Sequence, residues 1–263
     1  MGSRAIAVGR RHHDIGMVCH VCGRYVLARD TADLAAEFGV DDAEPASAPG
    51  YNVAPTTPVP VIVDRHSEDG ERTRLLRVCR WGLVPSWARD TSGAARMINA
   101  RVETVASKPA FRVALARRRC LVPADGWYEW AVGLDVPGRV PYYLTPKDGS
   151  PLAFAGLYEV WRNGPRRLTT CAIITTAATG QLARVHHRMP LLLRPDQWSA
   201  WLDRRMATAP LSDPDPDTIA SLELRAVGAE VGNVRNQGPE LLTPVPLITP
   251  VPPATGQQVL DLS

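Results

Sequence analysis

Cysteine is scarce in this sequence: five cysteines, at positions 19, 22, 79, 120 and 171, are spread over 263 residues. A set that is both sparse and odd in number excludes a disulfide framework and predicts a reduced, cytosolic protein. Long apolar runs are missing as well, since no stretch reaches the roughly 18 to 20 residues that a transmembrane helix needs. The first residues also lack the apolar segment of a signal peptide. We therefore expect a cytoplasmic protein that is neither secreted nor inserted into a membrane.

The sequence also carries little net charge, +3 in total. Residues 1–21 hold Arg4, Arg10 and Arg11 against Asp14, which leaves +1 for the rest of the chain. An overall balance this close to neutral gives no signal for nucleic-acid binding. Such a signal has to come from local clusters.

Composition divides the chain into three parts. Residues 1–21 form a polar, basic extension with no amphipathic period, a pattern typical of disorder. Residues 22–240 contain the regular patterns and predict one domain without internal repeats. Residues 241–263 form a Pro-rich tail, which predicts a surface wrap or a loose end.

Strand patterns dominate the central domain, where short β-type runs alternate with Pro- and Gly-rich turns. These runs are residues 59–63, 75–78, 127–132, 152–161 and 168–176. Because the strands do not alternate regularly with helices, the pattern favours an α+β fold over a doubly wound parallel sheet.

Helix signals are fewer. One helix is capped by Thr31 and ended by Gly39, and another is capped by Ser107. Two further helices are predicted near residues 178–185 and 195–204.

Four short strings hold residues with chemical potential. Cys22 opens Cys-Gly-Arg-Tyr, Asn99 opens Asn-Ala-Arg, Glu129 lies in Asp-Gly-Trp-Tyr-Glu-Trp, and His186 opens His-His-Arg-Met-Pro. Further strings stand between them in order: Tyr-Asn-Val-Ala-Pro-Thr at 51–56, Trp-Gly-Leu-Val-Pro-Ser-Trp at 81–87, the run 99–111, Arg-Cys-Leu-Val-Pro-Ala-Asp-Gly at 119–126, and Phe-Ala-Gly-Leu-Tyr at 154–158. The ordered set resembles the SRAP family, the SOS-response-associated peptidases, over residues 22 to about 205. Any one string is weak evidence, but the set is highly specific.

The resemblance implies a single domain with a largely antiparallel, barrel-like β core and peripheral helices. It implies a DNA-repair protein that attaches covalently to abasic sites in single-stranded DNA, exposes Cys22 by autoproteolysis and has lyase activity on the abasic strand. No metal or organic cofactor is called for. We expect a monomer that associates with the nucleoid when it is bound to DNA.

The chemistry of Cys22 depends on its position in the chain. An N-terminal cysteine offers a thiol and an amine on adjacent carbons, and the amine, with a reference pKa of about 7.7 to 8, is partly unprotonated at neutral pH. The amine can form a Schiff base with the aldehyde of an open abasic sugar, and the thiol can then close a thiazolidine ring. A lone cysteine is more often a buried structural thiol.

As written, Cys22 has no free amine, because Val21 precedes it. Translation from the Val21 codon, read as methionine from a GTG start, is the interpretation that we favour. Proteolytic removal of residues 1–21, by the protein itself, is the other.

The remaining catalytic roles follow from the resemblance. Glu129, among aromatic residues, is the candidate acid and base, although an isolated glutamate between aromatics is more often a solvated strand residue. His186 would open the sugar ring or assist strand cleavage, whereas a His-His pair is otherwise a surface feature. Asn99 would orient the amine or the sugar, and without the motif it is a turn amide.

DNA binding would rest on local basic and aromatic residues. A helix over 108–119 would place Lys108, Arg112 and Arg119 on one face, although such a row is usually just solvated. Phosphate clamps near the nucleophile would be Arg24, Arg101 and Arg188. Trp81 and Trp130 could stack on bases, although both more commonly belong to a core.

Three alternatives remain open at this stage. Cys19 and Cys22 form a C-x-x-C pair near His12 and His13, which a metal or redox module would use. A plain cysteine peptidase or amidohydrolase would need the Cys22 thiolate and His186 but no free amine. A noncatalytic single-strand binder would form only salt-reversible complexes.

Overall fold

The structure is a computed structural model that describes residues 22–45, 50–132, 139–206 and 209–246. Its strands, in chain order, are β1 (Tyr25–Leu27), β2 (Asp42–Ala43), β3 (Gly50–Val53), β4 (Pro58–His66), β5 (Arg72–Trp81), β6 (Asn99–Arg101), β7 (Arg119–Ala124), β8 (Gly126–Val132), β9 (Arg139–Pro146), β10 (Leu152–Asn163), β11 (Arg166–Ala177), β12 (Arg188–Pro190) and β13 (Leu222–Ala226). Its α-helices are α1 (Thr31–Phe38), α2 (Arg112–Arg117), α3 (Pro195–Leu202) and α4 (Pro216–Ser221). Each predicted β-type run lies within one of these strands.

Five strands close into a barrel. β4 pairs antiparallel with β5 and β7, and β10 pairs antiparallel with β7 and β11. The ring is completed by a short parallel pairing of β11 with β5, in which Thr170 lies opposite Arg80. The expected single α+β domain with a largely antiparallel, barrel-like core is therefore confirmed.

A second, antiparallel sheet stands beside the barrel in the order β13-β9-β8-β1-β3. Its β8 follows the barrel strand β7 after one residue. Gly126 is required at this junction, because a Cβ at this position would lie 2.4 Å from the carbonyl oxygen of Leu144. The junction directs β8 across β1, the strand that follows Cys22.

Aromatic side chains fill the core shared by the two sheets. Tyr25 meets Trp81 edge-on with ring centroids 5.4 Å apart, and Phe154 contacts Tyr25 and Trp127 in the same geometry at 6.2 and 6.0 Å. Edge-to-face pairs are a favourable arrangement for ring quadrupoles. Trp81 is only 1% exposed, and its indole nitrogen donates to the carbonyl of Ile98.

The first predicted helix is present, with a different cap. Asp30, rather than Thr31, accepts the backbone N–H of Asp33, and Gly39 ends the helix in the left-handed conformation with φ 62°. Residues 195–204 contain α3, and the region 178–185 contains a 3-10 turn, Gly180–Arg184.

The predicted helix over 108–119 is wrong in its extent. α2 covers only Arg112–Arg117: it begins after Phe111 without a cap from Ser107, and it ends because the chain enters strand β7 at Arg119. Arg119 is 3% exposed and donates to backbone carbonyls, so it does not join Lys108 and Arg112 in a basic row. Lys108 and Arg112 are themselves exposed.

The body of the fold continues past the expected boundary at residue 240. Leu241 is buried, and the backbone N–H of Val245 donates to the carbonyl of Ala226. The predicted extension over residues 1–21 lies outside the described residues, as does the tail from residue 247. Among the helices of the described ranges, none is long and apolar enough to cross a bilayer.

Candidate active site

Strand pairing brings Cys22 and Glu129 together. β1 runs antiparallel to β8 with Tyr25 opposite Trp127, and the N–H of Tyr128 donates to the carbonyl of Arg24. This register continues toward the start of β1 and places Glu129 beside Cys22. The backbone nitrogen of Cys22 donates to Oε1 of Glu129 over 2.7 Å. The atom that would become the α-amine of a mature N-terminus therefore already contacts a carboxyl group.

The carboxyl group of Glu129 is buried. Trp127 and Ala131 share its strand face and belong to the main core, whereas Tyr128 and Trp130 pack in or against a separate cluster on the other face. Successive side chains of β8 thus point to opposite faces of the sheet. Burial raises the pKa of Glu129 to about 8, and the hydrogen bond from Cys22 and the charge of Arg139 only partly oppose this rise. Near neutral pH this group can both give and accept a proton.

The thiol of Cys22 is also shielded from solvent. Cys22 is 1% exposed, and burial, followed by the nearby Glu129, raises its thiol pKa well above the usual value. The thiol is therefore protonated at neutral pH, which counts against a Cys-His peptidase that needs a thiolate. Cys22 also has φ 50°, a left-handed conformation that costs a non-glycine residue about 1 to 3 kcal/mol and is enriched at active sites.

His186 is held as a neutral imidazole. Its Nδ1 contacts both the backbone N–H of Arg188, over 3.0 Å, and the carbonyl oxygen of the same residue, over 3.2 Å, so either neutral tautomer has a partner there. Burial is the largest cause of the lowered pKa of His186; the hydrogen bond with the Arg188 backbone opposes this shift, and the charges of His187, Arg139 and Arg188 add to it. The ring is half-buried and lies against that of His187, with centroids 4.3 Å apart.

Asn99 and His186 approach the same end of β11 from its two edges. β6 pairs parallel with β11 and places Asn99 opposite Ile173, while β12 pairs antiparallel and places Arg188 opposite Ala177. Arg188 holds β12 against this end of β11, since its guanidinium forms a bidentate ion pair with Glu103 and donates to the carbonyl of Thr175.

Arg139 links the two halves of the site, and sequence reasoning missed it. It lies at the start of β9 opposite Val132, three residues beyond Glu129 in β8. Its positive charge lowers the pKa of both Glu129 and His186. Such a shared influence requires that the guanidinium lie near both groups. Arg139 belongs to none of the motif strings, so no sequence signal singled it out.

The predicted phosphate contacts fall into two groups. Arg101, Lys108 and Arg112 are exposed. Arg24 and Arg188 are instead tied into the fold: Arg24 donates to the side chain of Asn52 and the carbonyl of Val231, and Arg188 is ion-paired as described. These two arginines position neighbouring segments in this structure, so they are less available to a phosphate than the exposed group.

The tryptophans also differ in their surroundings. Trp130 is half-buried beneath the Arg24 guanidinium, which lies 5.8 Å from the ring centroid. Trp81 belongs to the core and has no face open to a base, so we remove it from the stacking candidates. Trp87, which ends the same string, is 67% exposed and is the better candidate. The sequence could not tell these two apart, because both lie in one short motif.

A metal or redox module finds no support in the described part of the chain. Within it, no three His, Cys, Asp or Glu side chains are grouped closely enough to hold an ion. Cys19, His12 and His13, on which that alternative depends, lie outside the described residues.

Comparisons with known proteins place the chain in a family. The family model of the SOS response associated peptidases (SRAP) matches residues 21–234. Over 235 residues the chain is 37% identical to the abasic site processing protein YoqW of Bacillus subtilis, an alignment that covers 84% of this chain and 99% of that protein. It is 31% identical over 234 residues to the abasic site processing protein HMCES of Pongo abelii, with coverage of 76% and 66%.

Solved structures share the fold. The crystal structure of a Bacteroides thetaiotaomicron protein has a TM-score of 0.68 at 22% identity and covers 85% of this chain and 100% of its own. A phage-related protein of Bordetella bronchiseptica has a TM-score of 0.59 at 29% identity, with coverage of 78% and 94%. The family model and the relatives that are at least 30% identical show that the chain belongs to the SOS response associated peptidase family.

The raised pKa of Glu129 predicts a pH-dependent stability. Between about pH 4.5 and pH 8 the folded protein retains a proton that the unfolded chain releases, so the free energy of unfolding decreases as pH rises, by at most about 1.4 kcal/mol per pH unit. Glu129→Gln removes this contribution while its amide oxygen can still accept the Cys22 N–H. Urea unfolding at pH 5.5, 7.0 and 8.5 should therefore show a smaller decrease for the variant than for the wild type. Equal pH slopes for the two proteins would contradict the assigned burial.

Proposed function

We propose that this protein captures abasic sites in single-stranded DNA as a covalent thiazolidine formed by Cys22 at the mature N-terminus. The observation that carries the proposal is the 2.7 Å contact between the Cys22 nitrogen and the buried carboxyl of Glu129, whose pKa is about 8. The names of the relatives, abasic site processing proteins, supply the substrate class.

The reaction has two bond-forming stages. The Cys22 amine attacks the aldehyde carbon of the open sugar, and the resulting carbinolamine loses water to give a Schiff base. The thiol then adds across the C=N bond, with sulfur bonding to carbon and the thiol proton passing to nitrogen. One water molecule is lost overall, and no oxidant, metal or cofactor takes part. The net addition carries both the sulfur and the proton of the thiol into the ring.

Glu129 moves the protons of the first stage. As a carboxylate it takes a proton from the ammonium form of Cys22, and as a carboxylic acid it protonates the departing hydroxyl of the carbinolamine. A pKa of about 8 populates both forms near neutral pH. Burial in the core keeps water away from the Schiff base, which water would otherwise hydrolyse.

His186 and Asn99 act on the sugar. As a hydrogen-bond donor, the neutral imidazole of His186 engages the ring oxygen and favours the open aldehyde, and in the tautomer whose outer nitrogen is unprotonated it removes a proton in a lyase reaction that breaks the strand. Asn99 presents an amide that orients the sugar hydroxyls. Burial, together with the charge of Arg139, disfavours the protonated form of His186 and so keeps the imidazole neutral.

The amine of Cys22 is freed by one of two routes. A start at the Val21 codon followed by removal of the initiator methionine leaves Cys22 first. Hydrolysis of the Val21–Cys22 peptide bond, catalysed by the protein itself, consumes one water and gives the same end group. Both routes release the nitrogen beside Glu129.

The undamaged part of the strand is held by phosphate contacts from Arg101, Lys108 and Arg112 and by stacking on Trp87. Arg24 and Arg188 keep the nucleophile and His186 in place, and Trp130 supports Arg24. Contacts of this kind tolerate any sequence, which suits a protein that responds to damage.

The proposal is tested with a single-stranded oligonucleotide that carries one abasic site. Incubation with protein beginning at Cys22 should give a complex that survives denaturing electrophoresis, whereas an undamaged oligonucleotide should give none. Complexes that form equally on both strands and dissociate in detergent would identify a noncatalytic binder instead.

Truncation of the exposed tryptophan tests the binding surface. Trp87→Ala should weaken binding to undamaged single strands by about tenfold, because stacking of one base on an aromatic ring is worth about 1 to 3 kcal/mol. Fluorescence anisotropy at fixed salt measures the change. Val245→Ala, which truncates another exposed apolar side chain, is the control and should bind as the wild type does. Equal affinities for the two variants would remove Trp87 from the DNA surface.

A further inference from the structure

A basic cavity lies where α2 and α3 end, and nothing in the reaction above uses it. Its volume is about 460 Å³, and its lining residues are Arg117, Arg118, Tyr158, Arg204 and Arg205. This volume is within the range of small-ligand sites. The lining of the cavity is charged, however, whereas the lining of such sites is usually apolar. We call it the arginine cavity.

The arginine cavity is separate from the site of Cys22. Tyr158 lies opposite Cys171 in the pairing of β10 with β11, whereas Arg188, beside His186, lies opposite Ala177 at the far end of β11. Six residues of a strand separate these two positions, which corresponds to about 20 Å.

Arg119 preorganises the walls of the cavity. This buried side chain donates to the carbonyls of Leu115 in α2, of Trp201 in α3 and of Asp203. It therefore ties together the two chain segments that carry the four lining arginines. The carboxyl ends of helices have a partial negative charge that disfavours anions, and the guanidinium of Arg119 offsets that charge at these two ends.

The cavity carries an excess of positive charge. Arg118 is ion-paired with Glu159 at 3.1 Å, and Arg205 with Asp203 at 2.9 Å. In the described part of the chain, no carboxylate pairs with Arg117 or Arg204. Four guanidinium groups and two carboxylates leave two positive charges facing one concave space.

We propose that the arginine cavity binds a phosphate group. Guanidinium groups present paired N–H donors that match phosphate oxygens, and the hydroxyl of Tyr158 adds a neutral donor. The phosphate belongs either to the DNA strand whose damaged sugar reacts with Cys22, a case that rests on the proposed function, or to a free phosphorylated compound. Both sources share the chemistry that the cavity recognises.

The test compares two double variants with equal loss of charge. Arg117→Ala/Arg204→Ala removes the two unpaired guanidiniums of the cavity. Arg166→Ala/Arg167→Ala removes two exposed arginines from the β10–β11 hairpin and is the control. Because the substituted side chains are exposed, both variants should fold, and equal thermal melting would verify this.

The probes are undamaged single strands of 21 and 3 nucleotides and inorganic pyrophosphate. Even when it is extended to about twice the stacked advance of about 3.4 Å per nucleotide, a strand of three nucleotides is shorter than 20 Å and cannot reach both sites. If the phosphate is part of DNA, the cavity variant should bind the longer strand about tenfold more weakly than the control. The magnitude of the slope of log binding constant against log salt concentration should also decrease by about 1. The affinity of the cavity variant for the shorter strand should be unchanged.

If the phosphate is free, the cavity variant should lose pyrophosphate binding in calorimetry while it binds both strands as the control does. Equal behaviour of the two variants toward every probe would overturn the proposal. Crosslinking of a 3-nucleotide strand with a central abasic site, measured on the same proteins, separates this proposal from the proposed function. Its failure would contradict the role of Cys22 and leave the arginine cavity unaffected.

Discussion

Replacement of Cys22 by alanine should lower the yield of the denaturation-resistant complex with abasic single strands by at least about 100-fold. The variant keeps its N-terminal amine, but a Schiff base formed by that amine alone remains open to hydrolysis, because no thiol closes the ring. Binding to undamaged strands should change by less than about twofold, since the proposed contacts with the undamaged strand come from Arg101, Lys108, Arg112 and Trp87 and not from Cys22. Gel quantification of the complex and anisotropy of undamaged strands measure the two effects.

Cys22→Ser is the matched control for this experiment. Serine retains the amine and replaces the thiol by a weaker nucleophile, so its adduct should be reversible and should require borohydride reduction to survive denaturation. Full yield of the stable complex with either variant would assign the nucleophile to another residue.

Replacement of Glu129 by glutamine should slow adduct formation by about 100-fold, the lower range for loss of a general acid and base. The neutral amide preserves the hydrogen bond from Cys22 but cannot exchange a proton. Because the carboxylate accepts the ammonium proton and the carboxylic acid protonates the departing hydroxyl, the difference between wild type and variant should be largest near pH 8, where both forms of Glu129 are populated, and smaller at pH 6 and pH 10. Single-turnover rates of crosslinking, measured for both proteins across this pH range, give the difference.

Glu37→Gln, a change on the exposed surface of α1, is the control and should react as the wild type does at each pH. A constant ratio of rates between wild type and Glu129→Gln over the whole range would show that ionisation of Glu129 has no part in the reaction.

Local patterns in the sequence predict much of this fold because they reflect local physics. The alternation in β8 separates Glu129 from Tyr128 and Trp130, and Gly39 ends α1 since it accepts a positive φ. Closure of the barrel by β5 and β11 could not be predicted, because that pairing joins Arg80 to Thr170 across ninety residues.

The candidate site, like the fold, could be predicted from the sequence only in part. The motif strings name Cys22 and Glu129, but only the strand register explains why one nitrogen meets one carboxyl. Arg139 acts through space on two groups that lie far apart in sequence, so no string contains it. The burial of Trp81 and of Arg119 likewise depends on long-range packing, which the composition of a short window does not encode.

The central claim is that the reacting group is an N-terminal aminothiol at Cys22, and the intact mass of the DNA-bound protein tests it most directly. The full chain is expressed, allowed to react with an abasic oligonucleotide, and weighed as the adduct. The account predicts a protein component that begins at Cys22 and an adduct lighter by one water than the sum of its parts. An adduct whose protein component still carries residues 1–21 would contradict it.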